Sequence, residues 1–321
     1  MFASAFRKKS VLSAQAAAKQ TTAPTDGLIH ISQHGLIQCR HQTSQLVLSS
    51  RNIKAMQSGA YLSSFRGRGM EFNESRSYQP GDDIRSMDWK VTARTGTAHT
   101  KVFSEEKERP VLCWADFREP MRFATHGVFK SVIAAKAAAS IAWAANAQGD
   151  RIGGLVFSEH THQELKPQRG KTSVLHFIKQ LEQIQNTDSD KPGSQINAEQ
   201  ALARLRRVAR PGSLIFLLSD FRNLGEQALS HITQLSRHND IVMFFIYDTL
   251  EKSLPPSGQY LIEYQDKTLR FSTHNNSQAQ YQQHFTERLA ALKDFAVKHR
   301  ISLIECSTEQ NPLQQLQSSF R

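Results

Sequence analysis

Three short apolar runs constrain this chain more than anything else in it: VLCWAD at 111–116, SLIFLLSD at 213–220 and IVMFFIYD at 241–248. Each is too short for a buried helix, is rich in β-branched and aromatic residues, and shows no polar alternation. Such runs are strands covered on both faces. Between and around them lie helical patterns. GVFKSVIAAKAAASIAWAANAQG (127–149) is an Ala-rich helix with Gly149 as its stop, and GKTSVLHFIKQLEQIQ (170–185) is a second. AEQALARLRRVAR (198–210) ends at Pro211-Gly212, and GEQALSHITQLSRHN (225–239) is the crossover between two of the strands. RIGGLVFS (151–158) reads as a further strand and HTHQELKP as an edge strand. YLIEY and TLRFS form a hairpin, YQQHFTERLAALKDFAVKHR is a long amphipathic helix, and ISLIECS is a final strand. Alternation of this kind specifies an α/β fold, a mostly parallel sheet with helices on both faces, entered at Val111–Asp116. Ligands of such sheets sit beyond the carboxyl ends of the strands, and Asp116 and Asp220 end two strands there.

The pattern divides the chain into a basic tail over 1–27, expected to be disordered, a smaller module with β-structure over 28–108, and the α/β domain over 109–321. The tail carries no acidic residue before Asp26 and no apolar stretch of secretory type. No run approaches the ~20 apolar residues that cross a bilayer. Cys39, Cys113 and Cys306 are far apart and make no CxxC, so neither a zinc ribbon nor a disulfide framework is implied. Both facts point to a cytoplasmic protein. The net charge of +11 favours acidic partners, yet it is spread along the chain, which makes a basic nucleic-acid or membrane-surface binder the lesser reading.

Motifs with their own chemistry are few. There is no GxxxxGK[ST], GxSxG or HExxH. FRGRG at 65–69 reads as a structural loop, and His126 as a capping or surface residue. Glu159, His160, His162 and Glu164 resemble a metal cluster in composition, but their place on an edge strand makes a solvated face the simpler reading. The densest unusual segment is RSYQPGDDIRSMDWKVTAR (76–94), whose Pro80-Gly81 marks a turn. Asp82, Asp83 and Asp88 there could serve a hydrolase as a carboxylate pair. A network with Arg76, Arg85 and Arg94, covered by Tyr78 and Trp89, is the favoured alternative, making this segment a domain junction or a partner surface.

Gly67, Gly69, Glu71, Phe72, Arg76, Tyr78, Pro80, Gly81, Asp82, Asp83, Arg85, Asp88, Trp89, Ala93 and Arg94 together resemble the signature of the domain-of-unknown-function family fifty-eight. The resemblance implies a von Willebrand factor A-like α/β domain, and a MoxR-type AAA+ ATPase as partner, acting on an unidentified client protein. It therefore implies a binding adaptor rather than an enzyme. Von Willebrand A domains often hold Mg²⁺ through Asp-x-Ser-x-Ser, a loop Thr and a second Asp. By that resemblance Asp116 and Asp220 are retained and Thr172 is the loop Thr, while Arg118 and Pro120 replace both serines. A hard cation wants oxygen ligands, and a permanent guanidinium charge repels it. The metal site is therefore expected to be degenerate, with weak Mg²⁺ binding at most and no other cofactor. Arg118 either pairs with Asp116 or Asp220 in place of the metal or points to solvent.

Overall fold

The computed structural model describes residues 27–43, 45–48, 70–79, 82–105, 108–125, 127–186, 196–254, 258–264, 267–273 and 275–320. The expectations for the tail before Gly27, the 65–69 loop, the Pro80-Gly81 turn and His126 lie outside these residues. The chain forms two compact units, one built from the N-terminal segment with Pro110 onward and a smaller one ending at Arg109. The N-terminal segment opens with α1 (Gln33–Gln38), capped by Ser32, whose Oγ accepts from Gly35 N–H.

In the smaller unit, β1 (Met70–Ser77) pairs antiparallel with β2 (His99–Glu105). Between them lies α2 (Trp89–Thr95). Asp88 starts this helix by accepting from Val91 N–H, and Gly96 ends it at φ 73°, a left-handed conformation that glycine adopts without steric cost.

The larger unit is α/β. Among the described residues its sheet has six strands: β3 (Pro110–Asp116), β4 (Arg151–Phe157), β5 (His162–Gln168), β6 (Leu214–Ser219), β7 (Asp240–Tyr247) and β10 (Ser302–Ser307). Their spatial order is β10-β7-β6-β3-β4-β5, all parallel except β5, which pairs antiparallel with β4 at one edge. The helices are α3 (Lys130–Ala147), α4 (Lys171–Asn186), α5 (Ala198–Val208), α6 (Glu226–Ser236), the short α7 (Thr249–Lys252), α8 (Asn275–Lys298) and α9 (Pro312–Ser319). A hairpin of β8 (Gly258–Tyr264) and β9 (Lys267–Thr273) precedes α8.

Side chains alternate across β3 and build two cores. Val111, Cys113 and Ala115 join α3, α4 and α9 on one face. Leu112 and Trp114 join α5, α6 and α8 on the other. The Ala-rich α3 is buried on nearly every side, which its small side chains permit. Gly153 and Gly154 let β4 approach both neighbours. A Cβ at Gly154, where φ is 144°, would meet Cys113 O at 2.0 Å, and one at Gly153 would meet Leu165 O at 2.6 Å.

The N-terminal segment departs from expectation. Residues after 27 do not all belong with the smaller unit, because Ile31, Leu36, Leu46 and Leu48 complete the core against α3. Backbone groups fix the segment there. The Trp143 indole N–H donates to Leu36 O at 3.2 Å, and Gln148 Nε2 donates to Leu46 O at 3.0 Å. Helix α3 is apolar on its outer side too, and these scattered leucines and isoleucines exclude water from it. The segment read as the final strand is β10, the last strand among the described residues, and helix α9 follows it.

Candidate functional site

Strands β3 and β6 are hydrogen-bonded neighbours, but the chain visits β4 and β5 between them. Connections leave them in opposite directions, which makes their carboxyl ends the switch point of the sheet. Asp116 and Asp220 meet there and are both 0% exposed. Ser219 Oγ donates to Asp116 Oδ2 at 2.7 Å.

Cations occupy this edge. Arg118 pairs with Asp116 in a fork: Nε–H donates to Oδ1 at 2.9 Å and Nη2–H to Oδ2 at 2.7 Å. The Arg118 backbone N–H also donates to Oδ1, at 3.1 Å, and the guanidinium lies over the Phe157 ring at 5.6 Å. Burial acts to lower the Arg118 pKa, but the Asp116 carboxylate outweighs it and raises the value. Beside this pair, Lys130 at the start of α3 is wholly buried, donating to Asp220 Oδ2 at 2.8 Å and to Glu251 Oε1 at 2.7 Å. Burial pushes the Asp220 carboxyl up, yet Lys130, helped by the Arg222 N–H and guanidinium, holds it below the usual carboxylate range.

Glu251 is positioned by its own helix. Asp248 caps α7 in a reciprocal capping box with Glu251. Both Asp248 oxygens are engaged, by Thr125 N–H and Oγ1, by Leu250 N–H and by Thr308 Oγ1. Arg222 Nη2 reaches Glu251 Oε1 at 3.2 Å.

A divalent cation does not fit these residues. Both Asp116 oxygens and both Asp220 oxygens already accept hydrogen bonds, and two protonated bases stand where metal charge would be. Of the two alternatives for Arg118, the structure has the pair with Asp116. Pro120 is the second residue of a short 3₁₀ turn, Glu119–Met121, and supplies no ligand. Thr172 is not at this edge. The antiparallel β5 returns the chain to the amino end of the sheet, and Thr172 lies exposed on the first turn of α4. Among the described residues no group of three His, Cys, Asp or Glu side chains could hold a metal. At the β5 edge, Glu164 is 3.9 Å from His162 and 3.5 Å from Arg204.

The smaller unit brings its acids to its own backbone instead. Asp82 pairs with Arg76 at 2.7 Å and accepts from Gln79 N–H at 2.9 Å. Asp83 accepts from Arg85 N–H at 3.0 Å, and Asp88 accepts from Ser75 Oγ at 2.8 Å besides capping α2. The Gln79 N–H above all lowers the Asp82 pKa, and the Ser75 hydroxyl and Val91 N–H lower that of Asp88. A catalytic acid needs the opposite shift. Tyr78 N–H donates to Ala98 O at 2.8 Å. Trp89 is 67% exposed and Ile84 64%, and Arg85, Lys90 and Arg94 are exposed as well. The network expected of Arg76, Arg85 and Arg94 reduces to Arg76 with Asp82 among the described residues.

Lys130, Arg222, Asp248, Glu251 and Arg288 were not anticipated from sequence. Their signals were present. A lysine interrupts the apolar run of α3, IVMFFIYD ends in aspartate as its two fellow strands do, and Asp248-x-x-Glu251 has capping-box spacing.

Comparison with known proteins adds the family. The family model described as "Protein of unknown function DUF58" matches residues 74–291. Uncharacterized proteins of Mycobacterium bovis and Mycobacterium tuberculosis are 28% identical over 206 residues, 64% of this chain and 63% of theirs. The match thus spans less than two thirds of those relatives. Two solved structures are similar at 11% identity over 66% of this chain. One is the conserved hypothetical protein BatB from Bacteroides thetaiotaomicron, covered to 96% with a TM-score of 0.37. The other is an aerotolerance-related membrane protein from Bacteroides fragilis, covered to 98% with a TM-score of 0.38. No described helix of this chain is long and apolar enough to cross a membrane.

Proposed function

The chain belongs to the DUF58 family of proteins of unknown function, and on that premise we propose that it is a non-enzymatic, cytoplasmic, protein-binding adaptor. In this reading the α/β unit is a von Willebrand factor A-like domain whose metal site has been replaced by Arg118 and Lys130. The partner is a MoxR-type AAA+ ATPase, and the pair assembles or remodels a client protein complex.

The observation that carries the reading is the exposed Trp89 and Ile84 among Arg85, Lys90 and Arg94. Leaving a large apolar ring exposed to water is unfavourable for the free chain, and covering it with a partner is favourable. Trp and Arg are also the residues enriched where interface energy concentrates. The filled switch point supports the same reading, since its acids are neutralised internally rather than aimed at a substrate.

Affinity capture from the source cells, with and without ATP, tests this. Recovery of an AAA+ ATPase by the intact chain, reduced at least tenfold by Trp89→Ala, is the expected result. Equal recovery by both chains, or no ATPase at all, overturns it.

A further inference from the structure

The ion network at the switch point is incomplete in one place. Glu251 Oε1 is shared by Lys130 and Arg222, while Arg288 of α8 comes only to 4.0 Å from Glu251 Oε2, beyond hydrogen-bond range. Arg288 Nε and Nη2 and Arg222 Nε are buried and have no hydrogen-bond partner. Three cations, Lys130, Arg222 and Arg288, thus face two carboxylates, Asp220 and Glu251. Asp248, the neighbouring acid, has both oxygens committed to Thr125, Thr308 and Leu250 N–H.

Buried donors normally find acceptors, because leaving them dry forfeits hydrogen bonds that water would have made. Here three guanidinium nitrogens, Arg222 Nε and Arg288 Nε and Nη2, have none. Arg288 is stacked 5.4 Å from both the Phe245 and Phe285 ring centroids, which fixes its plane. Arg222 sits between Phe221 and Asn223, both in the left-handed region at φ 50° and 55°. Ser219 Oγ and Asp220 Oδ1 hold that turn by accepting from Phe221 N–H and Arg222 N–H. Both side chains remain about a quarter exposed, at 25% and 26%.

We propose that Arg222 and Arg288 form an oxyanion receptor at the carboxyl edge of the sheet, whose ligand is a carboxylate borne by a partner protein. Two planar forks match a carboxylate's two oxygens. A dianionic phosphate would place a second negative charge beside Asp220 and Glu251, at Coulombic cost. The protein source of the carboxylate rests on the adaptor reading; the receptor itself does not.

The test uses the full chain labelled with ¹⁵N-arginine, the Nε–H resonances being assigned by their loss in Arg118→Lys, Arg222→Lys and Arg288→Lys. Sodium acetate is titrated against sodium chloride at equal ionic strength. Acetate is expected to shift the Arg222 and Arg288 signals to saturation while the Arg118 signal, already bonded to Asp116, stays in place. Arg288→Met, which preserves the apolar packing, should weaken the Arg222 response at least tenfold. An amidated Gly-Glu-Gly peptide and an acetylated Gly-Gly-Gly with a free carboxyl end then separate side-chain from terminal carboxylates. A response no larger than that to chloride, saturation by inorganic phosphate without any by acetate, or an undiminished response in Arg288→Met each overturns the receptor. None of these readouts needs a partner, so failure here leaves the adaptor reading standing, and failed ATPase capture leaves the receptor standing.

Discussion

The two regions rich in paired charge use it in opposite ways. At the sheet's carboxyl edge, Asp116, Asp220 and Glu251 are removed from water and paired with Arg118, Lys130 and Arg222. In the smaller unit, Asp82 and Asp83 stay near the surface, Asp88 is buried, and all three serve their own backbone, leaving Arg85, Lys90, Arg94 and Trp89 turned outward. Both segments would look alike in a charge plot. Burial separates them: a desolvated ion must be matched where it stands, whereas a solvated one is screened and free to meet something else. The first arrangement builds a fold and the second leaves a surface.

The sharpest way to break that contrast is Lys130→Met. It strands Asp220 and Glu251 in the interior, and removing one member of a buried ion group costs about 3–5 kcal/mol. Denaturant unfolding should show a loss of that order. The pH dependence follows with its sign. The Asp220 pKa is depressed in the folded chain, so it contributes stability above the unfolded carboxylate value of about 3.9. That contribution disappears as pH falls through the lower folded value. In Lys130→Met, burial acts unopposed by the lysine, and the acid-unfolding midpoint should move to higher pH. An unchanged midpoint would mean the lysine does not set that carboxylate's charge.

Next in size is Arg118→Ala, which removes a forked, charge-assisted pair from a buried acid and should cost about 1.5–3 kcal/mol. The same pairing predicts that calorimetric titration of the intact chain with Mg²⁺ or Mn²⁺ gives no micromolar binding. Micromolar binding abolished by Asp116→Ala would falsify the assignment of Arg118 as the metal's replacement.

Smaller effects belong to the exposed unit. Asp88→Ala removes the cap of α2, so amide exchange should accelerate at Val91 and its neighbours while the sheet of the larger unit keeps its protection. Acceleration in both units alike would mean the two are not separate in stability. Smallest is Trp89→Ala, expected to change stability by less than about 0.5 kcal/mol, as is usual for an exposed position. Trp114 and Trp143 are buried, so iodide should quench Trp89 selectively, and loss of that quenching on adding a partner reports its cover.

Much of the α/β unit was legible beforehand because short apolar runs admit few structures. VLCWAD, SLIFLLSD and IVMFFIYD are the neighbouring strands β3, β6 and β7. The edge placement of HTHQELKP and the YLIEY–TLRFS hairpin were legible for the same local reasons. The N-terminal segment was not, since Ile31, Leu36, Leu46 and Leu48 form no periodic pattern and acquire meaning only against α3. Thr172 was misplaced because sequence order does not reveal that β5 runs antiparallel and carries the chain to the far end of the sheet. Trp89 was misread because an indole beside charges can cover or protrude with identical sequence.

By itself, the sequence determined the strands, the aspartates at their tips and the presence of an arginine and a proline at positions 118 and 120. Those are properties of local pattern and of side-chain chemistry, which neighbours along the chain suffice to define. Only the tertiary structure decided what stands opposite those aspartates. Lys130 and Glu251 are 121 residues apart and Arg288 lies in another helix altogether. Their meeting is a consequence of strand order, and strand order is fixed by packing across the whole sheet.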